Sequence, residues 1–539
     1  MRTRLTVIAA AAFCIGLAAH SPLAAHDADA APAKLGKVHF KVECKAAAQK
    51  EFDLAMAYYH SFAWAYIKEP LDRALQADPG CGMANWLRAL ALLDNPFAWP
   101  GNVSAKTLAE GAALLDAARQ AGLKSQRERD YVEALAAFYR DSDKLNHRTR
   151  AKALEDALGS VAQRYPDDKE AAILYALVLS ANFDPADKQY GNQLRAAAIL
   201  EPIFAAQPEH PGVAHYLIHS YDYPPIASKG LDAARRYDKI APDAAHAQHM
   251  PSHIYTRVGA WRESVAANAA SARSDAGKSA NTLHAYDYMV YAHLQLGQDA
   301  AARKVMDDAF AVANKADHFA SAYAYAAIPA RLALERGAWP DAAGLPLTPA
   351  ADAYPWNKYP QAEAVNAFAR GLGAAAAKNA AAAQAEAARL RQLRDAAGAL
   401  KLGYWVEQID IQAEVVQSLA EIADGKRDEG IERLRKAALR EDASEKHVVT
   451  PGPILPAREV LAGTLLEQGK TADALREFEA VLQKEPNRLR ATAGAALAAE
   501  RGGDAQKARL YHGRVLELTE GSGSARPEVA GARRFLGLG

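Results

Sequence analysis

Five histidines, His215, His219, His246, His249 and His253, fall within 39 residues. Spread evenly, the chain's 16 histidines over 539 residues would place about one in such a window. Two pairs are spaced i, i+4, His215 with His219 and His249 with His253, which on a helix puts both rings on one face. Such a pair can ligate one metal ion, with a third ligand available from His246, His284 or Asp287. Neutral nitrogen donors suit zinc or copper, and Met250 adds a soft donor if it turns inward. Three ligands would also leave a position open for metal-assisted hydrolysis. Two other readings stand beside this one. Asp222, Tyr216, Tyr255 and Tyr291, with Tyr221, Tyr223 and Tyr286, offer an aromatic and imidazole lining for a peptide, a protein segment or a small ligand. The third reading is structural, the rings hydrogen-bonding carbonyls inside a helical core.

The elements that must position these residues follow a period of 34. Leu461, Ala462, Gly469, Ala474, Phe478 and Pro486 hold fixed slots in a unit at 455–488, and Ala508 keeps its slot in the next, 489–522. Leu54, Tyr58, Leu71, Ala74 and Pro79 fit a unit at 48–81. Three units run unbroken through 177–210, 211–244 and 245–278, marked by Pro208, by Leu217, Tyr221 and Pro242, and by Gly259 and Trp261. Looser units begin near 283 and 323. The slots resemble those of the tetratricopeptide repeat (TPR), two antiparallel helices with a turn between them and a proline stopping the second. The expected fold is therefore all-α, a TPR-like α-solenoid. The resemblance implies a right-handed superhelix whose first helices line a concave groove. It places His215, His219, His246, His249, His253 and His284 in that groove, with Asp222 and Asp287. Pro251 falls within a first helix, so that helix is expected to kink or start late.

Several stretches resemble one set of exported bacterial TPR proteins: Asp78-Pro79-Gly80-Cys81-Gly82-Met83-Ala84-Asn85-Trp86, His215-Tyr216-Leu217-Ile218-His219 and His249-Met250-Pro251-Ser252-His253-Ile254. Pro486-Asn487-Arg488 with Gly494 belongs to the same likeness, which runs from about Val38 to Leu518. It implies a fold and, by analogy of architecture, protein or peptide binding. It implies no reaction.

Composition agrees with helices. Half of the residues are apolar but only 8% aromatic, with alanine supplying much of the difference. The 64 basic and 64 acidic residues cancel, and no basic stripe is interleaved with aromatics, so nucleic acid is not expected as a partner. Residues 1–30 read as a signal peptide: Arg2 and Arg4, an apolar stretch Leu5 to Ala19, then small residues. A periplasmic or secreted protein without a membrane span is expected. Beyond the leader, Cys44 and Cys81 flank one helical hairpin whose ends meet, so a disulfide is expected. Closing a loop of about 38 residues stabilises by roughly 3–4 kcal/mol.

An N-terminal helical array is expected over 31–343, then a proline-rich linker over 344–360 with Pro346, Pro349, Pro355 and Pro360. Degenerate helical hairpins follow at 361–447, a C-terminal repeat pair at 448–522, and a frayed tail at 523–539. His60 lies near the groove edge and reaches the histidine site only if the superhelix curls back; otherwise it packs a helix end. Asn95 to Pro100 reads as a helix stop with two aromatics, Phe97 and Trp99, or as a loop over the groove. No Gly-x-Ser-x-Gly elbow, phosphate-cradling glycine loop or His-Glu-x-x-His motif is present, which leaves enzymatic activity an open question and a metal-dependent one if it exists.

Overall fold

In a computed structural model, residues 33–100 and 103–538 are described; the expected leader lies outside them. Every regular element among the described residues is helical. Consecutive helices pair as antiparallel hairpins and stack side by side; the unit expected at 177–210 is out of register, its first helix being Lys169–Ala181. The site depends on three successive hairpins. They are Pro211–Tyr221 with Leu231–Ile240, Ala245–Val258 with Trp261–Asp275, and Ala280–Gln295 with Asp299–Ala311.

Local sequence sets the ends of these helices. His210 caps the first through its ring, Nδ1 accepting from the Val213 N–H at 3.3 Å, and Pro211 follows at a position that needs no donor. Gly259 closes the helix Pro251–Val258 with φ +71°, and Gly469 takes φ +73° in the same turn of its own repeat. Both positions need the left-handed region, which is why the repeat carries glycine there. Pro251 does interrupt its helix. Ala245–His249 and Pro251–Val258 are separate segments meeting at Met250. Cys44 and Cys81 are joined by a disulfide, at the N-terminal ends of Ala46–His60 and Gly82–Ala91.

The middle third departs from the repeat pattern in sequence but not in architecture. Pro360–Ala376 pairs with Ala380–Ala399, and Gly403–Ala423 with Arg427–Asp442. Between the arrays, 344–360 is a packed corner in which Trp356 is buried and donates Nε1–H to the Pro349 carbonyl at 2.9 Å. The expected fraying of the tail does not occur. Pro527–Phe535 is a helix, and Arg526 before it is buried against Asp299, an ion pair that holds the segment down.

The chain folds back on itself. Arg488 is fully buried, paired with Glu335 at 2.6 Å and Glu459 at 2.5 Å, and Trp261 donates to the Asn487 carbonyl at 2.9 Å. Arg331 donates to Thr450 and to the carbonyls of Gly452 and Pro453. The segment 443–456 is thereby held against Tyr288 and Arg331, and Lys446 within it reaches Asp222 beside the histidines.

Candidate functional site

The sequence-predicted histidines come together as two trios. His215, His219 and His246 form one, and His249, His253 and His284 the other; in each, one potential ligand atom per residue lies within 4.8 Å of the others. The i, i+4 pairs come from Pro211–Tyr221 and from the two segments around Pro251. His246 completes the first trio and His284, on Ala280–Gln295, the second.

Ring tautomers follow from partners that can only accept. His253 Nδ1 lies 2.8 Å from Asp222 Oδ2, and that carboxyl also takes Arg257 Nε at 2.8 Å and Lys446 Nζ at 2.7 Å. Burial alone would raise the Asp222 carboxyl, but Lys446 and Arg257 hold it well below the usual carboxylate range. An ionised carboxylate fixes the proton on His253 Nδ1. His249 Nδ1 lies 2.6 Å from Asn268 Oδ1. The amide cannot be flipped, since its Nδ2 donates to the Ser264 carbonyl at 2.7 Å, so His249 too carries its proton on Nδ1. His215 Nδ1 donates to the His60 carbonyl at 2.7 Å.

Each of these three rings therefore presents a bare Nε2. The Nε2 atoms of His249 and His253 face each other at 3.1 Å with no proton between them. Tyr288, 3.5 Å from His253 Nε2, gives its hydroxyl proton to the Thr450 carbonyl at 3.1 Å and cannot satisfy that nitrogen. His215 and His246 meet Nε2 to Nε2 at 3.2 Å, and His219 Nε2 is buried without a partner. Two nitrogens bound to one ion at about 2.0–2.1 Å stand roughly 2.9–3.4 Å apart across right-angled to tetrahedral geometries. Both pairs lie in that interval.

Burial pushes His215, His219, His246, His249 and His284 well below the ordinary imidazole value, and neighbouring rings push the same way. His253 is lowered by burial against the pull of Asp222. Neutral rings are the form a metal needs. Lys446, buried beside Asp222, is pushed down to about 8.

An open groove wall is not what encloses these rings. His215, His219, His249 and His253 are buried, and His246 and His284 half-buried. Phe97 stacks on His219 at 3.9 Å, so the 95–100 loop does reach over the site. Phe62, held at φ +51°, puts its ring edge-on to His215 at 4.3 Å and stacked on His246 at 5.4 Å. A bulky residue in that region costs on the order of 1–3 kcal/mol, a cost the packing around the site sustains.

Other expected residues are placed elsewhere. Asp287 pairs with Arg331 at 2.9 Å instead of joining the histidines; the neighbour of His284 that faces them is Tyr288, one turn on at i+4. Tyr291 lies on the same helix face but two turns further along, where it packs on Trp261 and accepts from Arg488 at 2.8 Å. Tyr255 is half-buried and has no ring contact with the histidines among the described residues. Tyr216 lies behind the site, its hydroxyl 2.9 Å from His60 Nδ1.

His60 does reach the neighbourhood, through its carbonyl. Its ring belongs to a separate buried group in which Glu170 takes His60 Nε2 at 3.0 Å and His210 Nε2 at 2.9 Å. Every ring nitrogen there has a partner, so this third cluster is a closed hydrogen-bond network. Sequence reasoning missed Asn268, Lys446, Arg257, Phe62 and Tyr288. Only Tyr288, at helical spacing from His284, left a signal that could have found it.

No family model matches this chain, and no curated protein does. Among solved structures it is similar to a monomeric mutant of IFIT1 with Gppp-AAAA, at 12% identity and a TM-score of 0.34, over 84% of this chain and 90% of that one. It is similar to the TPR domain of P58(IPK) at 12% identity and TM-score 0.21, over 91% and 98% of the two chains. It is also similar to Naa15/Naa10 bound to HypK-THB, at 11% identity and TM-score 0.24, over 91% and 97%.

Proposed function

We propose that this chain is a transition-metal-binding protein, each histidine trio holding a zinc or copper ion on a helical-repeat scaffold. The observation that carries the reading is the pair of bare Nε2 atoms of His249 and His253, 3.1 Å apart. An unsatisfied buried acceptor costs on the order of 1–3 kcal/mol. Against a folding margin of about 5–15 kcal/mol, two acceptors forced together are a large expense unless a cation lies between them. A proton could serve only by charging a ring that burial keeps neutral. Nδ1 partners such as Asp222, Asn268 and a backbone carbonyl are those that orient histidine ligands in metal sites.

Three neutral ligands leave a tetrahedral ion one exchangeable position, where a small molecule or water can bind. Export by the N-terminal leader would suit both the disulfide and capture of metal outside the cytosol. Peptide or protein binding, common among helical-repeat folds, is the second reading, and the enclosed histidines favour it less than an exposed groove would.

Metal analysis of protein purified without a polyhistidine tag tests the proposal. Stoichiometric zinc or copper is expected in the wild type and in His39→Ala, a change at an exposed histidine, with loss in His249→Ala/His253→Ala. Wild-type protein that retains no ion after loading and dialysis would overturn the metal reading and leave the ligand-binding and structural readings.

A further inference from the structure

The two trios are not separate compartments. Between them, the rings of His219 and His253 are 6.0 Å apart and those of His246 and His249 are 6.1 Å apart. Within the second trio His253 and His284 are separated by 6.5 Å, so the gap between trios is no wider than the span of one. His246 and His249 also share the five-residue helix Ala245–His249, which locks the trios to a common frame.

Charge then limits what can occupy the space. All six ligands are neutral imidazoles. The nearby carboxylate, Asp222, is already engaged by His253, Arg257 and Lys446, and Glu445 beyond it pairs with Lys188, so neither carboxylate is free to face the ions. Two divalent ions in this pocket would repel each other with no anionic side chain to screen them. A small anion shared by both ions removes that repulsion.

Resting on the metal-binding reading above, we infer that the six histidines form one dinuclear centre whose two ions share a single bridging hydroxide. The hydroxide derives from water, its O–H bond breaking heterolytically as the proton passes to solvent and the oxygen keeps the electron pair for the two ions. No oxidant or reductant is required.

The test loads metal-free wild-type protein with copper(II) and follows it by electron paramagnetic resonance. One equivalent should give a copper signal. The second equivalent should bind with loss of most of that signal, because a bridging oxygen couples the two spins. His215→Ala/His219→Ala should bind a single copper that keeps its full signal. Two bound coppers with undiminished, additive spins would overturn the inference, as would a wild type that saturates at one ion; both results leave metal binding intact. Failure to bind copper or zinc at all would overturn this inference and the metal reading together.

Discussion

Asn268 decides which nitrogen of His249 faces the centre. Its Nδ2 is committed to the Ser264 carbonyl, so its Oδ1 is turned to the ring at 2.6 Å and demands a proton there. Removing the amide frees His249 to adopt the other tautomer, with a proton on the nitrogen that should bind metal. Asn268→Ala is therefore expected to weaken metal binding by about 10–100-fold. It should also cost roughly 1–3 kcal/mol of stability, because the His249 ring N–H and the Ser252 hydroxyl lose the acceptor they share. A chelator competition titration reads the first effect and urea unfolding the second. Unchanged affinity with lowered stability would mean that the residue only packs. Asp222 acts more strongly, because two cations as well as His253 depend on it. Asp222→Asn leaves Arg257 and Lys446 buried and unmatched, and a loss of about 3–5 kcal/mol is expected in the same unfolding measurement.

At the scale of elements, the helix Pro211–Tyr221 must approach Ala46–His60 closely enough for the His60 carbonyl to reach His215, and Gly212 permits it. A Cβ at Gly212 would stand 2.4 Å from His60 Nδ1 and 2.7 Å from its Cγ. That ring is held by Tyr216 and Glu170 and has nowhere to go. Gly212→Ala should destabilise by about 1–3 kcal/mol and loosen the first trio before the second, which metal titrations of the two trios separately would show. Much of this arrangement was legible in sequence. A period of 34 located the three site hairpins but set the preceding unit about eight residues late, and i, i+4 spacing paired His215 with His219 and His249 with His253. Helical spacing did not distinguish Asp287 from Tyr288, since both lie near the His284 face; the choice was made by Arg331, which takes Asp287 from another helix. Lys446 and Phe62 were illegible as site residues because their approach depends on how loops close over the hairpins, which no local spacing records. The middle third failed to match the repeat because its helices, such as the 21-residue Gly403–Ala423, are longer than the 34-residue unit allows. Alanine-rich sequence still makes helical hairpins there without the slot residues.

For the whole molecule, buried rings set the sign of its response to acid. Besides the six site histidines, His447 is pushed down to about 3 by burial and by Lys446, enclosed by the rings of Phe319, Tyr404 and Trp405. Each such ring stays neutral in the fold while the unfolded chain takes up a proton near pH 6.5. Its contribution to stability is complete above about pH 6.5 and is lost as pH falls from there toward the lowered folded value. Glu441 has the opposite sign. Burial raises it to about 7, so its contribution is full below the ordinary value of 4.5 and fades as pH rises between the two. In the overlapping window one proton on Glu441 offsets one ring, and the remaining histidines decide the direction. A fully responding buried ring contributes about 1.4 kcal/mol per pH unit, so a few of them acting together reach the roughly 5–15 kcal/mol that holds a domain folded. Metal-free protein should therefore lose stability steeply between pH 7 and pH 5 in urea unfolding, and His447→Gln should reduce the slope without abolishing it. Bound metal competes with protons for the same nitrogens and stabilises by mass action, which shifts the acid transition of the loaded protein to lower pH. An acid transition that metal leaves in place would mean that the site rings titrate only after the fold has opened, and that the buried ring of His60 or of His447 governs the collapse instead.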